Sequence, residues 1–180
     1  RRLDATAILT TIEAAIVAEL GPGPWVRGLA EPLVYLTPRG RALAGAERAR
    51  LVRAAAAAMQ RLGVRAVEDT RVLRESCGDA GSLEGLVCRA IDPDGPGDLY
   101  LVLAPTAFFE ADLVPGFGTN HGSPYLYDRA VPLFVRAPGR VTAGAVREAP
   151  ADAAAFARTA ASLLGIRAPA AAAGGEDLTR

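Results

Sequence analysis

The sequence predicts a mixed α/β fold in which helices alternate with short strands. Two observations support this prediction. Apolar residues recur every four positions in long segments, which is the spacing of a helix with one buried face. Short apolar runs end at Gly, Pro or Asp, as strands commonly do. The apolar fraction is 51% and the charged fraction 22%, which is normal for a globular protein.

Two helices are predicted in the first part of the chain. The first covers residues 4–20, with Asp4 as its N-cap and Gly21 as its stop. Its apolar stripe consists of Ile8, Ile12, Ile16 and Leu20. The second covers residues 46–62 and ends at Gly63.

Short apolar runs are predicted to be strands at residues 33–36, 64–67, 86–91 and 99–103. A helical turn is predicted at residues 70–74. The sequence DPDGPGD between the last two runs is interpreted as a hairpin loop. A calcium loop is not favoured there, because the EF-hand spacing fails and prolines crowd the turn. Together, residues 25–104 are predicted to form a small α+β unit.

The composition changes after Pro105. Residues 105–130 are rich in Gly, Pro and aromatic residues and are predicted to be loops, followed by a strand at 131–135. Asp152 predicts the start of a helix over 153–164. The tail, residues 168–180, is predicted to be a poorly ordered terminus or linker.

Charge and composition exclude several classes of function. The net charge is zero, which gives no signal for a nucleic-acid or anionic-membrane partner. No apolar run reaches the length of a membrane span, and no signal peptide is visible. All 20 basic residues are arginine, so Schiff-base or P-loop lysine chemistry is excluded within the chain. The chain starts at Arg1 without Met, which fits a segment of a longer polypeptide.

The chain has two cysteines, Cys77 and Cys88, and two interpretations remain open for them. They are either unrelated buried thiols or a disulfide across a short segment. A disulfide closing so short a loop would stabilise the fold by about 3 kcal/mol, and only in an oxidising compartment.

The only histidine, His121, lies in a glycine-rich loop between Gly118 and Gly122. A loop histidine at the surface is the simpler interpretation. The flanking glycines favour a metal ligand instead, because they permit close approach of a bound group. Side chains that could orient the imidazole follow in the same loop, namely Tyr125, Tyr127 and Asp128.

These residues resemble a known family. The pattern GT-x-HGS-x-Y-x-YD-x-x-VP over residues 118–132 is similar to the C-terminal metal-binding motif of the alkaline phosphatase superfamily. The most similar branch is the periplasmic, PafA-like alkaline phosphatases, and the type I phosphodiesterases/nucleotide pyrophosphatases are a related branch. Further segments resemble the family in order, namely GDLYLVLAP at 97–105, PLFVRAPG at 132–139, FARTAASLLGI at 156–166 and APAAAAGGEDL at 168–178.

The resemblance implies the C-terminal part of an alkaline-phosphatase-like core sheet with an α+β insertion subdomain. The expected division is a helix packing on the core (1–24), the insertion (25–104), the returning core (105–167) and the tail (168–180). It also implies a zinc-dependent phosphoric ester hydrolase with two zinc ions, a phosphate ester substrate and a periplasmic or extracellular location. His121 takes the position of a zinc ligand, and Asp128 and Tyr125 are expected beside it.

The family's nucleophile and other metal ligands lie N-terminal to the matching portion, and the DxxxH and DH motifs do not occur here. The upstream part of the same polypeptide is therefore the expected partner. This segment alone should bind zinc weakly and should not turn over phosphate esters, since a catalytic zinc takes about three protein ligands. The alternative is a degenerate, non-catalytic binding or interaction module of the same fold.

Overall fold

A computed structural model describes residues 2–75, 77–79, 81–92, 94–95, 97–110, 121–172 and 174–179. It is a mixed α/β structure, which confirms the general fold class, with one parallel and one antiparallel sheet. The chain divides into two compact units, Arg1–Val131 and Pro132–Arg180. The predicted boundaries at 24 and 104 fall inside the first unit, and the boundary at 167 falls inside the second.

The elements follow one another along the chain as β1 (Arg2–Asp4), α1 (Ala5–Leu20), β2 (Val26–Ala30), β3 (Leu33–Leu36), α2 (Pro38–Ala42), α3 (Gly45–Leu62), β4 (Val64–Asp69), α4 (Thr70–Glu75), α5 (Leu83–Ala90), β5 (Leu99–Leu103), β6 (Phe108–Glu110), α6 (Leu126–Arg129) and α7 (Ala153–Leu164). A short 3₁₀ helix covers Ala170–Ala172. Among the described residues, no helix is both long and apolar enough to span a bilayer.

The first helix forms where the apolar stripe predicts it. Asp4 caps α1, because its carboxylate accepts a hydrogen bond from the Ala7 backbone N–H at 2.7 Å. Gly21 ends the helix with φ of 91°, a conformation that favours glycine. The stripe residues Ile8, Ile12 and Ile16 are all buried.

The antiparallel sheet has the order β2-β3-β5-β4. Its strand β5 is buried along its whole length, and its side chains alternate between two apolar clusters. Leu99, Leu101 and Leu103 join the cluster that also contains α1 and α3. Tyr100 and Val102 join a second cluster with α4 and α5. Apolar side chains therefore cover the sheet on both faces. This packing holds the C-terminal end of β5 in place, and the candidate site begins there.

The parallel sheet contains β1 and β6, and Leu3 lies opposite Phe109 in its register. Leu3 and Phe109 both belong to the cluster formed with α1 and α3. The β1–β6 pair thereby joins the start of the chain to the segment that leaves β5.

The strand predicted at 86–91 is wrong, because these residues lie in helix α5 and its C-cap. Ser82 caps this helix, since its hydroxyl accepts a hydrogen bond from the Gly85 backbone N–H at 3.0 Å. Leu83, Val87 and Ile91 recur every four residues and pack in the second cluster. The hairpin predicted across DPDGPGD is consequently wrong as well, because this loop connects a helix to β5.

The strand predicted at 131–135 is also wrong, because the structure is irregular there. A strand requires a neighbouring strand for its backbone hydrogen bonds, and the sheets of the described residues include none at these positions. Phe134 is 89% exposed in this segment, and Val131 is 75% exposed.

The second unit contains α7 and the tail. Asp152 caps α7 by accepting from the Ala155 N–H at 2.9 Å, as predicted. The described residues of the predicted tail make contacts within this unit. The Leu178 N–H donates to Thr159 Oγ1 at 2.9 Å, and Glu176 forms an ion pair with Arg147.

Arginine side chains tie loops of the first unit to one another. Arg71 donates to the backbone carbonyls of Leu43 and Arg41. Arg74 donates to the carbonyl of Gly95. Both arginines belong to α4 and reach backbone oxygens that are distant in sequence, in α2 and the residue after it and in the loop before β5, and none of these acceptors is a carboxylate.

A buried ion pair joins α3 to the end of β4. Arg48 donates through Nε and Nη2 to both carboxylate oxygens of Asp69, at 2.7 and 2.9 Å. Its Nη2 also donates to the Asp98 carbonyl, and its Nη1 to the Gly40 carbonyl. The two side chains are only 6% and 8% exposed, so this pair is almost fully desolvated.

Candidate functional site

The loop that carries His121 is attached to the end of β5 by two tyrosines. The Tyr125 hydroxyl donates to the Leu103 carbonyl at 2.6 Å. The Tyr127 hydroxyl accepts from the Thr106 backbone N–H at 2.9 Å. The two tyrosine rings stack, with their centroids 5.7 Å apart. These contacts hold the loop against a strand that is itself buried.

Thr106 has φ of 64°, in the left-handed region that β-branched residues rarely adopt. Thr106 lies in the turn between β5 and β6, and its backbone N–H donates to the Tyr127 hydroxyl. Unusual backbone angles persist where the surrounding contacts fix them. The tyrosine contact is one such constraint on the turn.

His121, Ser123 and Asp128 form the polar part of the loop. The Ser123 backbone N–H donates to Asp128 Oδ2 at 2.9 Å. The pKa of Asp128 is lowered by the nearby Ser123 hydroxyl, by this backbone hydrogen bond and by the charge of His121, while partial desolvation opposes the change. Asp128 is therefore ionised near neutral pH, beside an exposed imidazole.

The Ser123 hydroxyl oxygen is buried and makes no well-formed hydrogen bond with the described residues. Its proximity to Asp128 is nevertheless the largest influence that lowers the pKa of that carboxyl group. Gly122 beside it has φ of 98° and open space where a Cβ would be. The loop thus requires glycine for its conformation at this position.

A cavity of about 190 Å³ opens beside this loop. The strands β5 and β6 contribute apolar lining that includes Leu103 and Phe108. The loop contributes His121, Ser123, Tyr127 and Asp128, and the β2–β3 connection contributes Glu31 and Pro32. An apolar pocket with a few convergent polar groups is the usual form of a small-molecule site.

The predicted site residues are partly brought together. His121 and Asp128 line the same cavity, as the loop interpretation expects. Tyr125 is used differently, because its hydroxyl donates to the backbone of β5. Positions 118–120 of the motif lie outside the described residues.

Cys77 and Cys88 are joined as a disulfide, with their Cα atoms 5.5 Å apart. The bond links the segment after α4 to α5 and lies away from the cavity lining. It contributes to the architecture of the second apolar cluster, which contains Cys88.

A metal centre of three ligands is not assembled within the described part of the chain. Among those residues, no group of three or more His, Cys, Asp and Glu side chains is placed to hold a metal ion. Within the described residues, His121 supplies one nitrogen donor of the kind that zinc takes, which is fewer than the three protein ligands of a catalytic zinc site.

Sequence reasoning missed Glu31, Pro32, Thr106 and Phe108, which all line the cavity. No local pattern marks these positions. Glu31 and Pro32 reach the cavity through the sheet pairing of β3 with β5, and Thr106 and Phe108 reach it from the turn and strand that follow β5. Comparisons with protein-family models, with curated proteins and with solved structures gave no match for this chain.

Proposed function

We propose that this chain supplies one zinc ligand, His121, to a phosphoric ester hydrolase of the alkaline phosphatase superfamily. One observation carries the proposal. An exposed imidazole lies beside an ionised Asp128, in a loop that two tyrosines fix to the end of a buried strand. Rigid support of this kind is what a metal ligand needs, because a loose ligand loses affinity and geometry.

His121 would bind zinc as a neutral imidazole through one ring nitrogen. Asp128 lies close to His121 and would orient the ring. Bound zinc would polarise the phosphoryl oxygens and stabilise the leaving oxygen. The remaining ligands and the nucleophile are proposed to come from the upstream part of the same polypeptide.

We further propose that the alkaline-phosphatase-like core sheet includes the β1–β6 pair and is completed by that upstream part. Purely parallel sheets are normally covered on both faces and contain more than two strands. The disulfide supports a periplasmic or extracellular location, because such bonds persist in oxidising compartments.

The test uses the natural full-length polypeptide with His121→Ala. Zinc content is measured by mass spectrometry and hydrolysis by release of a chromogenic alcohol from a phosphate ester. We expect the variant to lose bound zinc and at least about a hundredfold in hydrolysis, since a zinc ligand is removed. Val146→Ala serves as the matched control, because Val146 is 86% exposed and lies outside the cavity lining.

Wild-type zinc content together with wild-type hydrolysis in His121→Ala would refute the proposal. If the unaltered full-length protein neither binds zinc nor hydrolyses phosphate esters, the non-catalytic binding module is the better interpretation.

A further inference from the structure

We propose that Cys77 is a site of thiol–disulfide exchange, at which a small, positively charged thiol forms a mixed disulfide and displaces Cys88. This inference is independent of the proposed function, because the disulfide lies away from the lining of the cavity beside His121. It follows from the unequal burial of the two cysteines, from a carbonyl oxygen beside Cys88 and from the charges around the bond.

The two cysteines differ in their access to solvent. Cys77 is exposed, in the segment that follows α4. Cys88 is only 9% exposed and belongs to the second apolar cluster. A thiolate must approach the sulfur that it attacks, so access decides which of the two sulfurs reacts. An external thiol is therefore directed to Cys77.

Cys88 is placed to remain where it is when the bond opens. Its Sγ lies 3.0 Å from the Leu73 carbonyl oxygen, to which the released thiol can donate a weak hydrogen bond. Leu73 is 5% exposed and Val87 is 1% exposed, so the cluster around Cys88 is packed by apolar side chains as well as by the disulfide. Opening of the bond thus frees the Cys77 side and leaves α5 in place.

Carboxylates surround the exposed side of the bond. Glu75 and Asp79 are both exposed and lie on either side of Cys77 in sequence. Glu84 is also exposed, and it lies one helical turn before Cys88 on the same face of α5. These three side chains place negative charge where an external thiol arrives.

Two arginines lie near the same cysteines and offset this charge only in part. The Arg74 guanidinium donates to the Gly95 carbonyl, in the loop before β5. Arg89 follows Cys88 directly, and consecutive residues of a helix do not face each other. The surroundings of the bond are therefore net negative, so a cationic thiol is attracted and an anionic thiol is repelled.

The exchange needs no oxidant or reductant besides the thiol itself. The sulfur of the external thiolate forms a bond to Cys77 Sγ, and the bond between Cys77 and Cys88 breaks. Its electron pair leaves with Cys88 Sγ, which takes up the proton that the external thiol released. One disulfide is consumed and one is formed.

The test compares cysteamine, 2-mercaptoethanol and mercaptoacetate, which are small thiols of positive, neutral and negative charge. The oxidised 180-residue chain is mixed with each thiol at low ionic strength, quenched with acid at early times and mapped by mass spectrometry. We expect the adduct at Cys77 to exceed that at Cys88 by at least about tenfold. In the chain unfolded by urea both sulfurs are accessible, and the ratio should fall to about one.

The charge preference is measured from the rates per thiolate, each divided by the rate of the same thiol with a small uncharged disulfide. This division removes differences in intrinsic nucleophilicity. Cysteamine should then exceed mercaptoacetate by at least about threefold, and added salt should reduce the difference. Asp79→Asn should reduce it as well, because one charge is lost while an acceptor for the Gly81 N–H is kept. Glu47→Gln is the matched control, since Glu47 lies on α3, which packs in the other apolar cluster.

A structural measurement tests whether the opening is local. In the cysteamine adduct, backbone amide shifts followed by NMR should change at residues 77–79 and at Gly81. The shifts of Val87 and Tyr100 should stay unchanged, because both belong to the cluster that holds Cys88. Loss of the native shifts throughout α5 would show that the disulfide holds the whole helix, which contradicts the local opening.

Three other results would overturn the inference. Equal adducts at the two sulfurs of the folded chain would refute the assignment to Cys77. Exchange that occurs only after unfolding would refute the accessibility of the bond. Equal corrected rates for the three thiols, or the same reduction in Glu47→Gln as in Asp79→Asn, would refute the preference for a cationic thiol.

Discussion

Removing Arg48 should destabilise the first unit more than any surface charge does. Its guanidinium makes two hydrogen bonds to Asp69 and two to backbone carbonyls, and both charged side chains are more than nine-tenths buried. Arg48→Met leaves the Asp69 carboxylate buried, with only the Arg71 backbone N–H as a hydrogen-bond donor among the described contacts. Breaking a buried pair in this way costs about 3–5 kcal/mol.

The assay is urea unfolding followed by the fluorescence of Trp25, with the disulfide kept oxidised. Trp25 is the only tryptophan, it is buried in the main apolar cluster, and it lies under the Arg39 guanidinium at 4.0 Å. Its signal therefore reports on the first unit. The free energy of unfolding is compared between the unaltered chain and Arg48→Met at constant m-value.

The matched control is Arg50→Met. Arg50 forms an ion pair with Glu19 in which both side chains are more than 40% exposed. Such surface pairs contribute about 0–1 kcal/mol. A loss below about 1 kcal/mol in Arg48→Met, or equal losses in the two variants, would show that burial of the pair does not govern its contribution.

Three further predictions concern the disulfide and two carboxylates. Replacing Cys77 by serine should lower the free energy of unfolding by about 3 kcal/mol. Thiol titration of the unfolded, unreduced wild type should find no free thiol, and a result of two free thiols would contradict the disulfide. Burial, and to a lesser degree the nearby charge of Glu84, raises the pKa of Glu68 in the folded chain. The stability that Glu68 contributes is therefore present below its unfolded pKa and is lost as the pH rises through its folded pKa. Glu68→Gln should therefore be more stable than wild type at neutral pH and equal to it in acid, as measured by urea unfolding at each pH; a constant difference would rule out this cause. Ser123→Ala should raise the pKa of Asp128 towards its ordinary value, as followed by the carboxyl carbon chemical shift, and an unchanged titration would show that the hydroxyl has no influence.

Helices were predictable where the signal is local. The stripe of α1 and the caps at Asp4 and Asp152 need only neighbouring residues, and all of them appear in the structure. The segment 86–91 was misassigned because its apolar run is short and contains the β-branched Val87 and Ile91. The stronger evidence was its N-terminal extension, where Ser82 caps a helix whose apolar residues recur from Leu83.

The candidate site was predictable only in its loop. His121 and Asp128 share a short segment with glycines and tyrosines, so their proximity follows from the sequence. The opposite wall depends on pairing between distant strands, which places Glu31 and Phe108 beside them. Single-residue patterns do not contain such long-range information.

The arginine ties have a consequence for how this protein can be modified. Arg71 and Arg74 hold loops through neutral carbonyl oxygens, and the chain contains no lysine side chain that could perform this task. Amine-directed reagents therefore find no side-chain target within the folded loops. Reagents that attack guanidinium groups would break these contacts, since the N–H donors of the planar guanidinium are lost. Modification of Arg71 and Arg74 would therefore loosen the contacts of α4 with the segments around Leu43 and Gly95, without any change to the sequence.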